Sequence, residues 1–183
     1  MSKLTKVFWV ILRKIIFLLD GINNRIFTDI YYNYLKLLGV KFNGKPNYIA
    51  SNAYIDGQGY KLITIGKDVV ISREAMILTH DFSIETALHA IGMGTNDRTT
   101  HLNLPISIGD NSFIGARASL LPGTNIGKNC IIGACAVVKG TIPDNSVVIG
   151  NPCRIINSTI KIGEKFRQEY CGGFYEKKKA DNN

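Results

Sequence analysis

The sequence predicts an all-β solenoid, a coil of short parallel strands stacked into a prism, and three observations carry that prediction. From Ile65 onward aliphatic residues recur every six positions: Ile65, Ile71 and Ile77, then Ile108, Ile114, Leu120, Ile126, Ile132 and Val138. A small residue mostly follows four places later, as in Val69, Ala75, Ser112, Ala118, Thr124, Cys130 and Ala136. Helices repeat near 3.6 and strands alternate at about 2, so neither alone sustains a period of six. If each unit is a short strand plus a corner, three units close one triangular turn and every aliphatic side chain points inward. The third observation is an interruption. The gap from Ile77 to Ile108 exceeds five whole units by a single position, and Phe82 to Pro105 is a polar stretch without a repeat.

The 183 residues divide into residues 1–45 with amphipathic helices, a coil over 46–156 with an extruded loop at 82–105, and a C-terminal helix with a basic tail over 157–183. In the first part, the apolar runs Val7 to Leu12 and Ile15 to Leu19 are divided by Arg13 and Lys14, which argues against a full membrane span. Lys3, Lys6, Arg13 and Asp20 lie along one line of a helical wheel, leaving a wide face of Leu4, Phe8, Trp9, Ile11, Leu12, Ile15, Ile16 and Leu19. Such a helix either lies on a membrane surface with snorkelling cations or packs against the protein or a neighbouring subunit; both readings stay open. A second helix is expected from Ile22 to Leu38, with Ile22, Ile26, Ile30, Tyr34 and Leu38 as a core stripe and Gly39 as its stop. Asn43-Gly44-Lys45-Pro46 then turns into irregular first coils, where Gly57 and Gly59 mark a corner or slip.

Charge follows the same division. Residues 1–45 carry eight Lys/Arg against two Asp, residues 46–153 seven against eight acids, and residues 154–183 seven against four, for a net +8. Basic flanks attract anionic membranes or phosphorylated ligands, although solubility explains a run such as Lys177-Lys178-Lys179 equally simply. No nucleic-acid motif or aromatic-interleaved basic stripe is present. Cys130, Cys135, Cys153 and Cys171 lack paired spacing and read as reduced thiols of a cytoplasmic protein, peripheral at most on the inner membrane face through residues 1–20.

Chemistry is expected at the interruption, since long loops in compact folds are usually functional. All three histidines, His80, His89 and His101, lie in or beside it. Thr79-His80-Asp81 stands where the regular coil stops, so rigid scaffold holds the ring while it faces open space. His101 in the returning arm is a candidate for substrate contact, and His89 for packing. Asp81, Glu85 or a backbone carbonyl could orient the His80 imidazole. A metal site would need the three histidines to converge, and none is expected, because no regular spacing relates them.

The repeat from about Ile49 to Ile156 resembles the hexapeptide-repeat family of left-handed parallel β-helix proteins, most of which are acyltransferases. That resemblance implies a homotrimer with acetyl-CoA as acyl donor in grooves between subunits. His80 is similar in position to the general-base histidine of the family's sugar O-acetyltransferases, and Asn52 to a substrate-binding asparagine. Phe113, Gly115, Ala116, Gly133, Ala134 and the Gly150-Asn151-Pro152-Cys153-Arg154 segment match positions that line the acetyl-CoA groove, with Pro152 and Arg154 the least demanded by the repeat; Lys139 lies near it. Phe113 replaces a frequent tryptophan. The resulting expectation is an O-acetyltransferase for a sugar hydroxyl, in a bacterial surface polysaccharide or its lipid-linked precursor. The alternatives are amino-sugar or serine acetylation, or a non-catalytic scaffold.

Overall fold

The computed structural model describes residues 3–20, 22–97 and 99–170. Cys171, the Lys177-Lys178-Lys179 run and the side chains of Lys3, Leu4 and Lys6 lie outside the described residues.

Three parallel sheets form the faces of the prism. The first stacks Lys41–Phe42 (β1), Ile63–Ile65 (β4), Ile106–Ile108 (β9), Asn125–Ile126 (β12) and Thr141–Ile142 (β15). The second stacks Tyr48–Ile49 (β2), Val70–Ile71 (β5), Phe113–Ile114 (β10), Ile131–Ile132 (β13) and Ser146–Ile149 (β16). The third stacks Tyr54–Ile55 (β3), Met76–Ile77 (β6), Ser119–Leu120 (β11) and Val137–Val138 (β14). The chain visits the three in rotation, one strand per repeat unit. The coil therefore begins at Lys41, earlier than the boundary at residue 46 that the repeat alone indicates. It ends in an antiparallel hairpin, Arg154–Ser158 (β17) folding back on β16, followed by helix α4, Thr159–Tyr170.

The periodic residues are the core. All nine aliphatic positions from Ile65 to Val138 are at most 1% exposed, as are the seven small residues that follow four places later. Each fully buried aliphatic side chain contributes about 1.5–3 kcal/mol, set against the entropy of ordering the corners. The corners follow from local chemistry. The residue before each buried small one, including Asp68, Glu74, Asn111, Arg117, Asn129, Cys135 and Asn145, has positive φ, and asparagine tolerates that region best among non-glycine residues. Along one edge the asparagines also bond one another, Asn111 Nδ2 donating to Asn129 Oδ1 at 2.9 Å and Asn129 Nδ2 to Asn145 Oδ1 at 3.1 Å.

Strand register shows where the coil departs from its period. Ile114 pairs with Ile132, and Leu120 with Val138, each partner standing one turn of three units further along the chain. Ile55 pairs with Ile77, and Ile77 with Leu120, and both of these offsets are longer than one turn. The excess is a short insertion after Ile55 and a long one after Ile77, which leave at the edge between the third and first sheets in successive coils. The longer one is not wholly irregular: His80–Asp81 (β7) pairs antiparallel with Leu102–Asn103 (β8), and Ser83–Ala90 (α3) forms its tip.

Two helices close the open N-terminal end of the prism. In α1, Lys3–Phe17, Ile16 is buried and Trp9, Leu12 and Phe17 pack on the core, while Val7, Phe8, Val10, Ile11 and Ile15 stay exposed. Helix α2, Asn24–Leu38, is capped by Asn23, whose side chain accepts from Arg25 N and Ile26 N, and stops at Gly39 with φ +113. Its buried residues are Phe27, Thr28, Tyr31, Tyr34 and Leu35, which keeps Tyr34 of the expected stripe and corrects its isoleucines: Ile22, Ile26 and Ile30 are exposed. The reason is aromatic area. Phe17, Phe27, Tyr31 and Tyr34 form a ring cluster with centroids 5.3–6.0 Å apart that buries more surface than a row of isoleucines. No helix among the described residues is long and apolar enough to cross a membrane.

Candidate active site

At the edge that carries both insertions, Asp56 follows buried Ile55 and lies one coil from Thr79 and His80. Asp56 is fully buried. Its Oδ1 accepts from Gln58 N at 3.1 Å, and its Oδ2 from Thr79 N at 3.0 Å, from the Thr79 hydroxyl at 2.6 Å and from His80 Nδ1. Burial pushes the carboxyl pKa up, but the hydrogen bonds from Thr79, Gln58 and His80 outweigh it and hold the group below its ordinary value. A buried charge is tolerated only when satisfied in this way. With Nδ1–H given to Asp56, the His80 ring keeps Nε2 as a free acceptor. Its side chain is 19% exposed, at a cleft of about 160 Å³ lined by Leu78, Asp81, Leu102, Leu104, Leu121, Pro122 and Lys139. Phe82 packs edge-on against the ring at 5.4 Å between centroids.

Neither acidic residue expected to orient His80 does so. Asp81 Oδ1 accepts from Ser83 N at 2.8 Å, a local turn that starts α3, although Asp81 also lines the cleft. Glu85 is buried inside the insertion, where it accepts from Thr95 N at 2.7 Å, from the Thr95 hydroxyl at 3.0 Å and from Thr100 N at 3.1 Å. Hydrogen bonding, from Thr100 foremost, holds its pKa down at about 2. Asp56, on the preceding coil, has the orienting position instead.

The other histidines are occupied. His101 Nδ1 donates to Thr99 O at 2.7 Å, and its Nε2 accepts from Asn103 Nδ2 at 2.9 Å, while the ring packs on Phe82. His89 Nε2 lies 3.1 Å from Thr95 O and beside Glu85. No three His, Cys, Asp or Glu side chains among the described residues are grouped to hold a metal ion.

The remaining expected residues lie elsewhere on the prism. Lys139 joins His80 at the cleft. Asn52, Gly115, Ala116, Gly133 and Ala134 line the opposite edge, between the second and third sheets, about 16 Å away if the face is crossed by a short extended strand. Asn52 Oδ1 there accepts from Glu74 N at 3.4 Å. Phe113 is exposed on the second sheet. Pro152 sits in the turn of the final hairpin, and Arg154 is exposed on β17. Stacking alone requires Gly115, since a Cβ there would meet Ala134 N at 2.6 Å; at Gly133 it would meet Ile149 Cγ2 at 2.8 Å. Small residues at these corners are thus needed by the coil itself.

Comparison with known proteins agrees with this architecture. Residues 105–140 match the family model described as bacterial transferase hexapeptide (six repeats). A candidate acetyltransferase of Saccharomyces cerevisiae is 36% identical over 122 residues, covering 67% of this chain and 59% of the yeast protein. A candidate lipopolysaccharide biosynthesis O-acetyl transferase of Escherichia coli is 32% identical over 62% of this chain and 61% of its own length. The galactoside O-acetyltransferase of Lactococcus lactis is 30% identical, over 62% and 54%. The chain thus spans less than two thirds of the length of these relatives. Among solved structures, a galactoside acetyltransferase in complex with coenzyme A superposes with a TM-score of 0.59 over 90% of this chain and 86% of its own, at 22% identity, a likeness of fold that implies a left-handed coil. With its period, its three stacked sheets and its matched repeat, the chain belongs to the hexapeptide-repeat family, in which the relatives named here are acetyltransferases or candidates for that activity.

Proposed function

We propose that this chain is an acetyl-CoA-dependent O-acetyltransferase whose acceptor is a sugar hydroxyl, and that His80 Nε2 is its general base. The observation that carries the reading is the buried Asp56–His80 pair, which leaves one imidazole nitrogen free at a cleft. A sugar hydroxyl is a weak nucleophile at neutral pH, so a positioned base that takes its proton during attack is worth about 10²–10⁴ in rate. In the proposed step the hydroxyl oxygen bonds to the thioester carbonyl carbon as its proton moves to Nε2. Collapse of the tetrahedral intermediate breaks the carbon–sulfur bond, and the imidazolium returns the proton to the departing thiolate. Asp56 holds the ring in the productive tautomer and stabilises the imidazolium, while Thr79 and Gln58 hold Asp56. No covalent acyl-enzyme is required.

The donor side rests on the relatives: a structure that shares the fold holds coenzyme A, and the named relatives include a galactoside O-acetyltransferase. We place the donor along the edge of Gly115, Ala116, Gly133 and Ala134, with Phe113, Pro152 and Arg154 nearby and Lys139 toward the cleft. That edge and His80 lie on opposite sides of the third sheet, so a site using both takes them from two subunits. A cyclic homotrimer supplies three such sites. Asn52, Asp81 and His101 remain candidates for acceptor contact, and a surface polysaccharide or its lipid-linked precursor is the proposed acceptor class.

The test is transfer from acetyl-CoA to a panel of glycans, read by mass spectrometry, with calorimetry for CoA. Acetylated glycan from the wild type and CoA binding retained in His80→Ala support the reading. Absence of CoA binding by the wild type removes it. Arg154→Ala is expected to weaken CoA more than dephospho-CoA if the guanidinium meets the 3′-phosphate, and equal weakening of both would remove that assignment.

A further inference from the structure

A second, larger cavity lies on the other side of Asp56. It measures about 890 Å³ and is enclosed by α1, α2 and residues 57–62. One wall is apolar, formed by Trp9, Phe17, Tyr34 and Leu38. Tyr34 Oη donates to Trp9 O at 3.0 Å, which fastens α1 over the opening. Arg13, Lys14 and Lys61 also line it, and among the described residues no Asp or Glu does. Arg13 lies 5.1 Å from the Phe17 ring centroid, and none of the three cations has a carboxylate partner among the described residues. The floor is Gly57-Gln58-Gly59, the segment whose Gln58 N–H holds Asp56.

The surface around this cavity is unusual for a helix end cap. Val10 lines the cavity while remaining 57% exposed, and Val7, Ile11, Ile15 and Leu18 continue an outward apolar face. A helix apolar on both sides is normally covered on both. Arg13 also hydrogen-bonds the Tyr60 side chain, so its charge is held at the cavity but not neutralised. Three cations without a carboxylate partner, beside an apolar wall and an outward apolar face, select one chemistry, an anion carried on a hydrocarbon chain lying in a bilayer.

We propose that this cavity binds a phosphate-bearing membrane lipid, its head against Arg13, Lys14 and Lys61 and its chain along Trp9, Phe17 and Leu38, with the outward face of α1 resting on the bilayer. This deepens the acetyltransferase reading, because a sugar on such a lipid would be delivered beside the residues that hold Asp56, but the binding itself does not depend on that reading. Arg13 and Lys61 reach the phosphate through charge-assisted hydrogen bonds.

Trp9 is the chain's one tryptophan and lines the cavity, so its fluorescence reports occupancy directly. Full-length protein is titrated with monomeric dihexanoyl phosphatidylglycerol, dihexanoyl phosphatidylcholine and glycerol phosphate. Saturable binding of the anionic lipid, at least tenfold tighter than either of the others, is expected. Arg13→Gln and, separately, Lys61→Gln should each weaken it at least fivefold while the circular dichroism spectrum stays that of the wild type, and Ile15→Ser should reduce co-sedimentation with phosphatidylglycerol vesicles. Equal binding of the two lipids, or no effect of either cation variant, overturns the proposal. Glycerol phosphate binding as tightly as the lipid would make this a site for soluble phosphates, and a changed oligomeric mass in the variants would make it a subunit contact; either also overturns it. Calorimetry of CoA on the wild type decides the donor reading separately.

Discussion

Asp56 accepts four hydrogen bonds from three residues: one from Gln58, two from Thr79 and one from His80. An amide in its place has one acceptor oxygen and presents an N–H₂ to at least one of those donors, leaving buried groups unpaired. Asp56→Asn is therefore expected to lower kcat at least tenfold while CoA affinity stays within about twofold, measured by steady-state kinetics and calorimetry; unchanged kcat would reduce Asp56 to a packing residue. Gly59 tests the same geometry from behind. A Cβ there would lie 2.0 Å from Thr79 Oγ1 and 2.7 Å from Thr79 Cβ, so Gly59→Ala must push Thr79 off Asp56. Overpacking of this kind costs about 1–3 kcal/mol, to be read by urea unfolding, together with a fall in kcat. His80 was legible because it stands where a regular repeat breaks. Asp56 was not, since Thr79 and His80 lie a full coil further along the chain and adjacency pointed to Asp81. The signal was the offset between Ile55 and Ile77, which is wider than one three-unit turn and so places a second insertion on the same edge one coil earlier.

Among the elements, the insertion is tied together beyond its β7–β8 pair by a buried carboxylate. Glu85 on α3 gathers Thr95 and Thr100, and its pKa is lowered from 4.5 to about 2. A depressed folded-state value means a contribution to stability that is fully present above the unfolded value and is lost as pH falls through the folded one. The stability difference between wild type and Glu85→Gln is thus expected to be constant above about pH 5.5 and to shrink between about pH 4.5 and 2, as followed by thermal unfolding across that range. A pH-independent difference would contradict the assignment. Helix α3 and the β7–β8 pair were missed because the segment from Phe82 to Pro105 breaks the six-residue period; the helical spacing of Ile84, Leu88 and Ile91 was the signal for α3, while the order of the rest comes from polar contacts that spacing does not reveal. In α2 the error had the opposite cause. Its isoleucines had the right spacing, yet Phe27 and Tyr31 joined the expected Tyr34 on the buried face. The two readings of α1 did not exclude each other, since its inner side packs on α2 while its outer side remains apolar and exposed.

At the scale of the molecule, the prism follows from one rule: every sixth side chain is buried and the following small residue admits the next coil. That rule was legible in the nine aliphatic positions and needed no tertiary information. What period alone could not tell was that both insertions leave from one edge, and that the small corners expected to meet the donor lie on the opposite edge. This separation predicts complementation between subunits. Ala134→Trp should block the donor edge, and His80→Ala should remove the base. Equal amounts of the two inactive proteins, unfolded and refolded together, should regain about a quarter of wild-type activity, the fraction of random interfaces in a closed ring that join two intact halves. No recovery would place both groups in a single chain's site. The central claim, that His80 Nε2 takes the acceptor's proton, is tested most directly by turnover of His80→Ala at saturating acetyl-CoA. A fall in kcat of about 10²–10⁴ with CoA affinity unchanged is the predicted result, and near wild-type turnover would contradict it.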